Sequence, residues 1–223
     1  CDDGNDNDDD GCTSDCLLCR WALGAPEETH MGDSPASVVF LDLESDGLLE
    51  AVVANSEDDT ISIARQGEDG LLREVMVLPS CEMPAWLVAG DFDSNGHSDV
   101  VATCMESDAF MVLLSHGDGE LEYGDMFAAG DGPKSAAASD LDGDGDLDLV
   151  LASSFDSTVT IHRNDGVGLF DTVESLRVSG VPRSVIAVDV DNDGDDDVIA
   201  PSRNGDAIYV FPNEGAFVFS REE

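Results

Sequence analysis

The feature that most limits what this chain can fold into is an internal repeat of 49 residues. Asp42, Asp91, Asp140 and Asp189 follow one another at that step. So do Pro35, Pro84, Pro133 and Pro182, and again Gly47, Gly96, Gly145 and Gly194. Three marker positions that hold register without a gap through four copies define structural repeats. Each copy must build the same small unit, and neighbouring units must bury faces that one unit cannot bury alone.

Within a unit the apolar runs are short and roughly alternating, with no helical stripe. The first reads SVVFLDL, WLVAGDF, SAAASDL and SVIAVDV in the four copies, and the second EAVVAN, DVVATC, DLVLAS and DVIAPS. A third reads TISIAR, FMVLLS, TVTIHR and AIYVFP, and a weaker fourth EVMVLP, DMFAAG, SLRVSG and FVFSRE. Runs of this length, rich in β-branched residues and bounded by Gly, Asp and Asn, are strands. Four antiparallel strands per unit of this size predict an all-β fold, a β-propeller of four-stranded blades or an arc of one. The blades expected are 35–83, 84–132, 133–181 and 182–223, within a propeller region 27–223. By the repeat alignment, residues 27–35 stand where a preceding fourth strand would.

Between the first two runs of each unit lies an acidic loop: DLESDGLLE, DFDSNGHSD, DLDGDGDLD and DVDNDGDDD. Two carboxylates about 4 Å apart repel by roughly 4 kcal/mol at an effective dielectric near 20. Such crowding calls for a counter-ion. Each loop sets oxygen-bearing side chains at positions 1, 3, 5 and 9 and glycine at 6, the chemistry that Ca2+ selects. Position 7 (Leu48, His97, Asp146, Asp195) would offer its backbone carbonyl, so its side chain is free to vary. An EF-hand needs a Glu at position 12 and helices on both sides. Position 12 here is Val53, Ala102, Leu151 or Ala200, and the flanks are strands.

The pattern D-h-D-x-D-G-x-x-D between two strands, after a G-x-x-P connector, resembles the FG-GAP/VCBS repeats, which also form the calcium-bearing blades of integrin α-subunit propellers. The resemblance covers residues 35–223. It implies up to four Ca2+ ions, with Asp42, Glu44, Asp46 and Glu50 around the first and Asp91, Asp93, Asn95 and Asp99 around the second. The third would take Asp140, Asp142, Asp144 and Asp148, and the fourth Asp189, Asp191, Asp193 and Asp197. The first loop departs from the pattern, with Glu at positions 3 and 9.

Charge narrows the function. Fifty acidic residues against nine basic ones give a formal net charge of −41, and Lys134 is the one lysine. Nucleic-acid binding runs on Lys and Arg neutralising phosphates, so that class is excluded. No apolar run approaches the ~18–20 residues needed to span a bilayer. Residues 1–26 form a separate acidic, Cys-rich segment. Within it CDDGNDNDDDGCTSDC is similar to the Cys-rich repeats of myxobacterial surface proteins and implies a partial copy of one. Six cysteines, in a cluster (Cys1, Cys12, Cys16, Cys19) and a distant pair, point to disulfides and an oxidising compartment. In the blade arrangement Cys81 and Cys104 fall in one neighbourhood, and a disulfide is expected there. The chain, cut mid-repeat at both ends, reads as a fragment.

These readings converge on a secreted or cell-surface calcium-binding repeat protein, an adhesion or binding module for a protein or polysaccharide. The alternative is an accessory propeller domain of an extracellular polysaccharide-degrading enzyme. A sugar-binding lectin has thin support from two Trp and two Tyr. Catalysis within the chain is not expected: the G-x-S-x-G elbow is absent, and His30, His97, His116 and His162 occupy unrelated repeat positions. Propeller ligands usually meet the face opposite the acidic loops. On that face Asp59, Asp108 and Asp206 recur at the repeat step, with Ser157 in the third copy, and a tight-turn role suits them.

Overall fold

The computed structural model describes residues 28–67 and 70–219. The segment expected over residues 1–26 therefore lies outside the described residues, as do its four cysteines. Among the described residues there are strands, turns and bends but no helix.

The first sheet runs β1 (Pro35–Leu41), β2 (Glu50–Asn55), β3 (Thr60–Gln66) and β4 (Leu72–Pro79), antiparallel and in sequence order. The second repeats it with β5 (Pro84–Gly90), β6 (Asp99–Cys104), β7 (Ala109–Ser115) and β8 (Leu121–Ala128). The third uses β9 (Pro133–Ser139), β10 (Asp148–Ser153), β11 (Thr158–Asn164) and β12 (Phe170–Arg177). In the fourth, β15 (Asp197–Arg203) pairs with β16 (Ala207–Phe211) and with two short strands, β13 (Val181–Pro182) and β14 (Ile186–Val188). These are β-propeller blades, four-stranded antiparallel sheets repeated and stacked. Strands β2, β6 and β10 are buried along their whole length, and β6 and β10 have a blade neighbour on each face.

Three details differ from the sequence expectation. The fourth strands begin earlier than their apolar runs, at Leu72, Leu121 and Phe170, because one side of an outer strand faces solvent and carries polar residues. Each also holds one extra residue against its partner, a bulge that strengthens the twist. The first strand of the last unit splits into β13 and β14. Between them the Val185 N–H donates to Ser135 Oγ of the neighbouring blade at 3.3 Å. Finally, residues 28–34 form no strand, although the repeat alignment sets them opposite one.

Stacking is carried by cross-strand apolar rows. Val39, Val52 and Ile63 stand opposite one another on the side of the first blade that faces the second. Val88–Val101–Val112 and Ala137–Val150–Ile161 repeat the row on the next two blades. Between the second and third blades Phe110 adds aromatic packing, stacked on Phe127 at 5.2 Å and edge-on to Phe170 at 5.4 Å. Cys81 and Cys104 form the expected disulfide, with Cα atoms 5.6 Å apart.

Candidate metal centres

The acidic loops join the first strand of each sheet to the second and fold alike. The aspartate at position 1 turns back over its own loop. Asp42 accepts from the N–H groups of Asp46 (3.1 Å) and Gly47 (2.9 Å), and Asp91 from those of Asn95 (3.0 Å) and Gly96 (2.9 Å). Asp140 and Asp189 hold Gly145 (3.0 Å) and Gly194 (3.2 Å) in the same way. The glycine at position 6 takes φ of 87°, 90°, 98° and 104° in the four loops, while a Cβ there would meet nothing within 4 Å. Backbone conformation therefore demands glycine at this turn, and space does not.

The acid at position 9 opens the second strand and is buried in every copy: Glu50, Asp99, Asp148 and Asp197. In the last three its two oxygens are held from both sides. Asp99 accepts from the N–H of Phe92 and of Ser115, both at 2.8 Å. Asp148 accepts from Leu141 and Asn164, both at 2.9 Å, and Asp197 from Val190 (3.0 Å) and Asn213 (2.9 Å). Burial still dominates. It raises the pKa of Asp148 to about 6 against those hydrogen bonds, with the charges of Asp142 and Asp144 adding to the rise. Asp99 and Glu50 are raised by burial in the same direction. A carboxylate fixed in place but poorly solvated is one whose charge a cation would stabilise.

Positions 1, 3 and 9 converge in three loops. Asp91, Asp93 and Asp99 bring one ligand oxygen each to within 4.8 Å of the others, as do Asp140, Asp142 and Asp148, and Asp189, Asp191 and Asp197. Two oxygens each 2.3–2.6 Å from a shared Ca2+ stand at most about 5 Å apart, so these trios fit the ion. At position 5, Asp144 and Asp193 stand outside these trios, and with Asn95 they accept from the N–H of position 7, in His97, Asp146 and Asp195. In the first loop Asp42, Glu44, Asp46 and Glu50 form no such group. Glu44 turns away to Arg65, Oε1 lying 2.7 Å from Nε, and Asp46 accepts from the Leu48 N–H at 2.8 Å.

Two sets of contacts went unread in the sequence. The side chains at position 7 touch the preceding loop: His97 Nδ1 lies 3.3 Å from Ser45 Oγ, and Asp146 accepts from Ser94 Oγ at 2.9 Å. At the ends of β11 and β16, Asn164 and Asn213 send Nδ2 to the position-2 carbonyl of the previous blade's loop, Phe92 O and Leu141 O, both at 2.8 Å. The pair stands at the repeat step, and that spacing was the available signal. On the opposite face, Asp59, Asp108, Ser157 and Asp206 do occupy tight turns, with φ of 54°, 50°, 61° and 51°.

Stacked antiparallel blades, each with an acidic loop between its first two strands, define a propeller of acidic-loop repeats. The FG-GAP-like repeat profile matches residues 42–102, 91–151 and 140–200, most of the chain, and the chain belongs to that family. No curated protein sequence matches it significantly. Among solved structures it is similar to a candidate 6-phosphogluconolactonase from Bacteroides uniformis, at TM-score 0.66 and 18% identity over 88% of this chain and 59% of that one. A protein of unknown function from Desulfotomaculum acetoxidans gives TM-score 0.62 and 13% identity, covering 87% and 57%. The periplasmic gluconolactonase PpgL of Pseudomonas aeruginosa gives 0.58 and 23%, covering 79% and 49%. At these identities the likeness is one of fold, and the chain spans roughly half to three fifths of those structures.

Proposed function

We propose that this chain is a calcium-stabilised, non-catalytic binding module exported to the cell surface or beyond. The observation that carries the reading is the threefold recurrence of one arrangement: two aspartates on a loop and a third, buried, at the mouth of the next strand, with oxygens inside 4.8 Å. Asp91, Asp93 and Asp99 would hold one ion, Asp140, Asp142 and Asp148 a second, and Asp189, Asp191 and Asp197 a third. The carbonyls of His97, Asp146 and Asp195, with water, would supply further oxygens. Bound there, Ca2+ neutralises the acids and ties each first strand to its second.

Modules of this kind in extracellular calcium bind with Kd near 10⁻⁴–10⁻³ M. At free calcium about tenfold above Kd, each site adds roughly 1.4 kcal/mol, and three add about 4 kcal/mol, a large share of the stability of a typical domain. The Cys81–Cys104 disulfide supports an oxidising compartment. Among the described residues no helix is long and apolar enough to cross a membrane.

The test is thermal melting with calorimetric titration. The expected result is a marked rise in Tm with millimolar Ca2+, reversed by chelator. A melt that ignores both at neutral pH would sink the proposal.

A further inference from the structure

The first acidic loop lacks the oxygen trio of the other three, and the cause lies partly outside the loop. Arg65, Leu114, Arg163 and Pro212 share one repeat position, at or just past the end of each blade's third strand. In the third blade Arg163 stands across the strand pair from Asp171 and takes it as partner, Nη2 lying 3.7 Å from Oδ2, while Asp142 stays in its trio. In the second blade Leu114 carries no charge, and Asp93 stays in its trio. In the first blade the residue opposite Arg65 is Arg73. Like charges facing across a strand pair repel, and Arg65 turns to the loop instead, with Nε 2.7 Å from Glu44 Oε1. Glu44 is one methylene longer than the aspartates at position 3 of the other loops, which is the reach this contact needs. The Nε atom is buried without a hydrogen bond, so the contact is one of charge.

The pair is also part of a junction. Arg65 Nη2 donates to Gly119 O of the next blade at 3.3 Å, and the Gly119 N–H donates to Leu43 O at 2.8 Å. A Cβ on Gly119 would lie 2.8 Å from Glu44 Oε1 and 3.2 Å from Arg65 Nη2, so a side chain there would push the pair aside. At the following junction Gly168, the counterpart of Gly119, faces the methyl of Leu114 at 3.5 Å. Leu43 O is the position-2 carbonyl that Asn164 and Asn213 reach in the second and third loops. Ser115 stands at their repeat position, its hydroxyl accepting from the Gly117 N–H at 3.3 Å, and Gly119 makes the bond in its place. The first junction is thus built differently at two points, and neither needs an ion.

We propose that Arg65 is the resident cation of the first loop. Its guanidinium neutralises Glu44, where calcium neutralises the position-3 aspartate of the other loops, and it ties the first blade to the second. This rests on calcium as the ion of the other three loops. Asp42 and Glu50 stay out of the pair, held by the N–H groups of Asp46, Gly47 and Leu43. The consequence is a division of the chain: the first loop is fixed at every calcium concentration, and the later three respond to the ion.

The experiment is calorimetric calcium titration of the full chain, with amide hydrogen exchange in chelator and in saturating Ca2+. In the wild type, residues 42–50 should exchange alike in both conditions, while 91–99, 140–148 and 189–197 slow by roughly tenfold or more with calcium. Glu44→Asp combined with Arg65→Leu copies Asp93 and Leu114 of the second blade and should add one bound ion to the wild-type count. In chelator Arg65→Leu alone should speed exchange of residues 42–50 by roughly tenfold, and Arg65→Lys, which keeps the charge, by less. A wild-type count of four overturns the proposal. So does a double variant that adds no ion, or first-loop exchange in chelator that Arg65→Leu leaves unchanged. If no loop responds to calcium, the calcium reading falls instead, and Arg65→Leu in chelator still decides whether the guanidinium holds the first loop.

Discussion

Asn164 holds Asp148 with its backbone and the preceding loop with its side chain. Its N–H donates to Asp148 Oδ1 at 2.9 Å, and its Nδ2 donates to Phe92 O at 2.8 Å and Leu147 O at 3.1 Å. One buried residue thereby couples two acidic loops that are 49 positions apart. Replacing it with Ala keeps the backbone bond and strands one buried and one half-buried carbonyl. At about 1–3 kcal/mol for a buried polar group left unmet, Asn164→Ala should destabilise by roughly 2 kcal/mol. Calcium bound by the second loop should weaken along with the third. Urea denaturation and calcium titration of the variant check both effects.

Calcium stoichiometry separates the loops. With the trios in the second, third and fourth loops as sites, titration should give three ions per chain, and Asp148→Asn should give two. The first loop is diverted, Glu44 pairing with Arg65 while Glu50 uses one oxygen on the Leu43 N–H at 2.9 Å. A wild-type count of four would show that calcium outcompetes Arg65 for Glu44.

Most of this was legible before any coordinates, because a repeat multiplies weak signals. No single TVTIHR or SAAASDL run proves a strand, but the same position in four copies does. The acidic loops were legible for the same reason. What stayed hidden were contacts between copies, such as Asn164 to Phe92 or Ser94 to Asp146, since a pattern within one unit says nothing about which neighbour it touches. The pairing of Glu44 with Arg65 was hidden too: a carboxylate's partner depends on where β3 ends, and loop spacing does not report that. The outer strands were misjudged in length because solvent-facing positions dilute the apolar signal.

The disulfide closes a loop of 23 residues between the connector ahead of β5 and the end of β6. By loop-closure entropy it should stabilise by about 3 kcal/mol. Replacing both Cys81 and Cys104 with Ala should lower the urea midpoint without changing calcium stoichiometry, since Cys104 ends the strand that Asp99 begins and lies at the opposite end of the blade.

His162 stands where the second blade has Leu113 and the fourth has Phe211, and it is buried against the edge of Phe110, centroids 5.0 Å apart. Thr160 and Thr172 hydroxyls meet its ring nitrogens at 3.0 and 3.1 Å. Burial lowers its pKa to about 4 from an ordinary 6.5. The unfolded chain thus binds the proton more readily. Stability is complete above pH 6.5 and falls as pH drops from there towards 4, by roughly 3 kcal/mol in all. His162→Leu should abolish that loss. Its denaturation midpoint at pH 5 should fall less, relative to pH 7.5, than that of the wild type.

Asp148 runs the other way, and calcium reverses it. Its folded pKa, raised by burial to about 6, exceeds the ordinary 3.8. In metal-free protein its contribution is therefore full below pH 3.8 and lost as pH rises through 6, on the order of 3 kcal/mol. Asp99 and Glu50, also raised by burial, act in the same sense. On the His162→Leu background, chelated protein should accordingly gain stability on going from pH 7.5 to 5. With calcium saturating at pH 7.5 the sign inverts, because protons compete with the ion for the same oxygens and acidification releases it. Urea denaturation at the two pH values, with and without calcium, gives four midpoints. A slope of the same sign in both pairs would mean that the buried aspartates and the ion do not share a site.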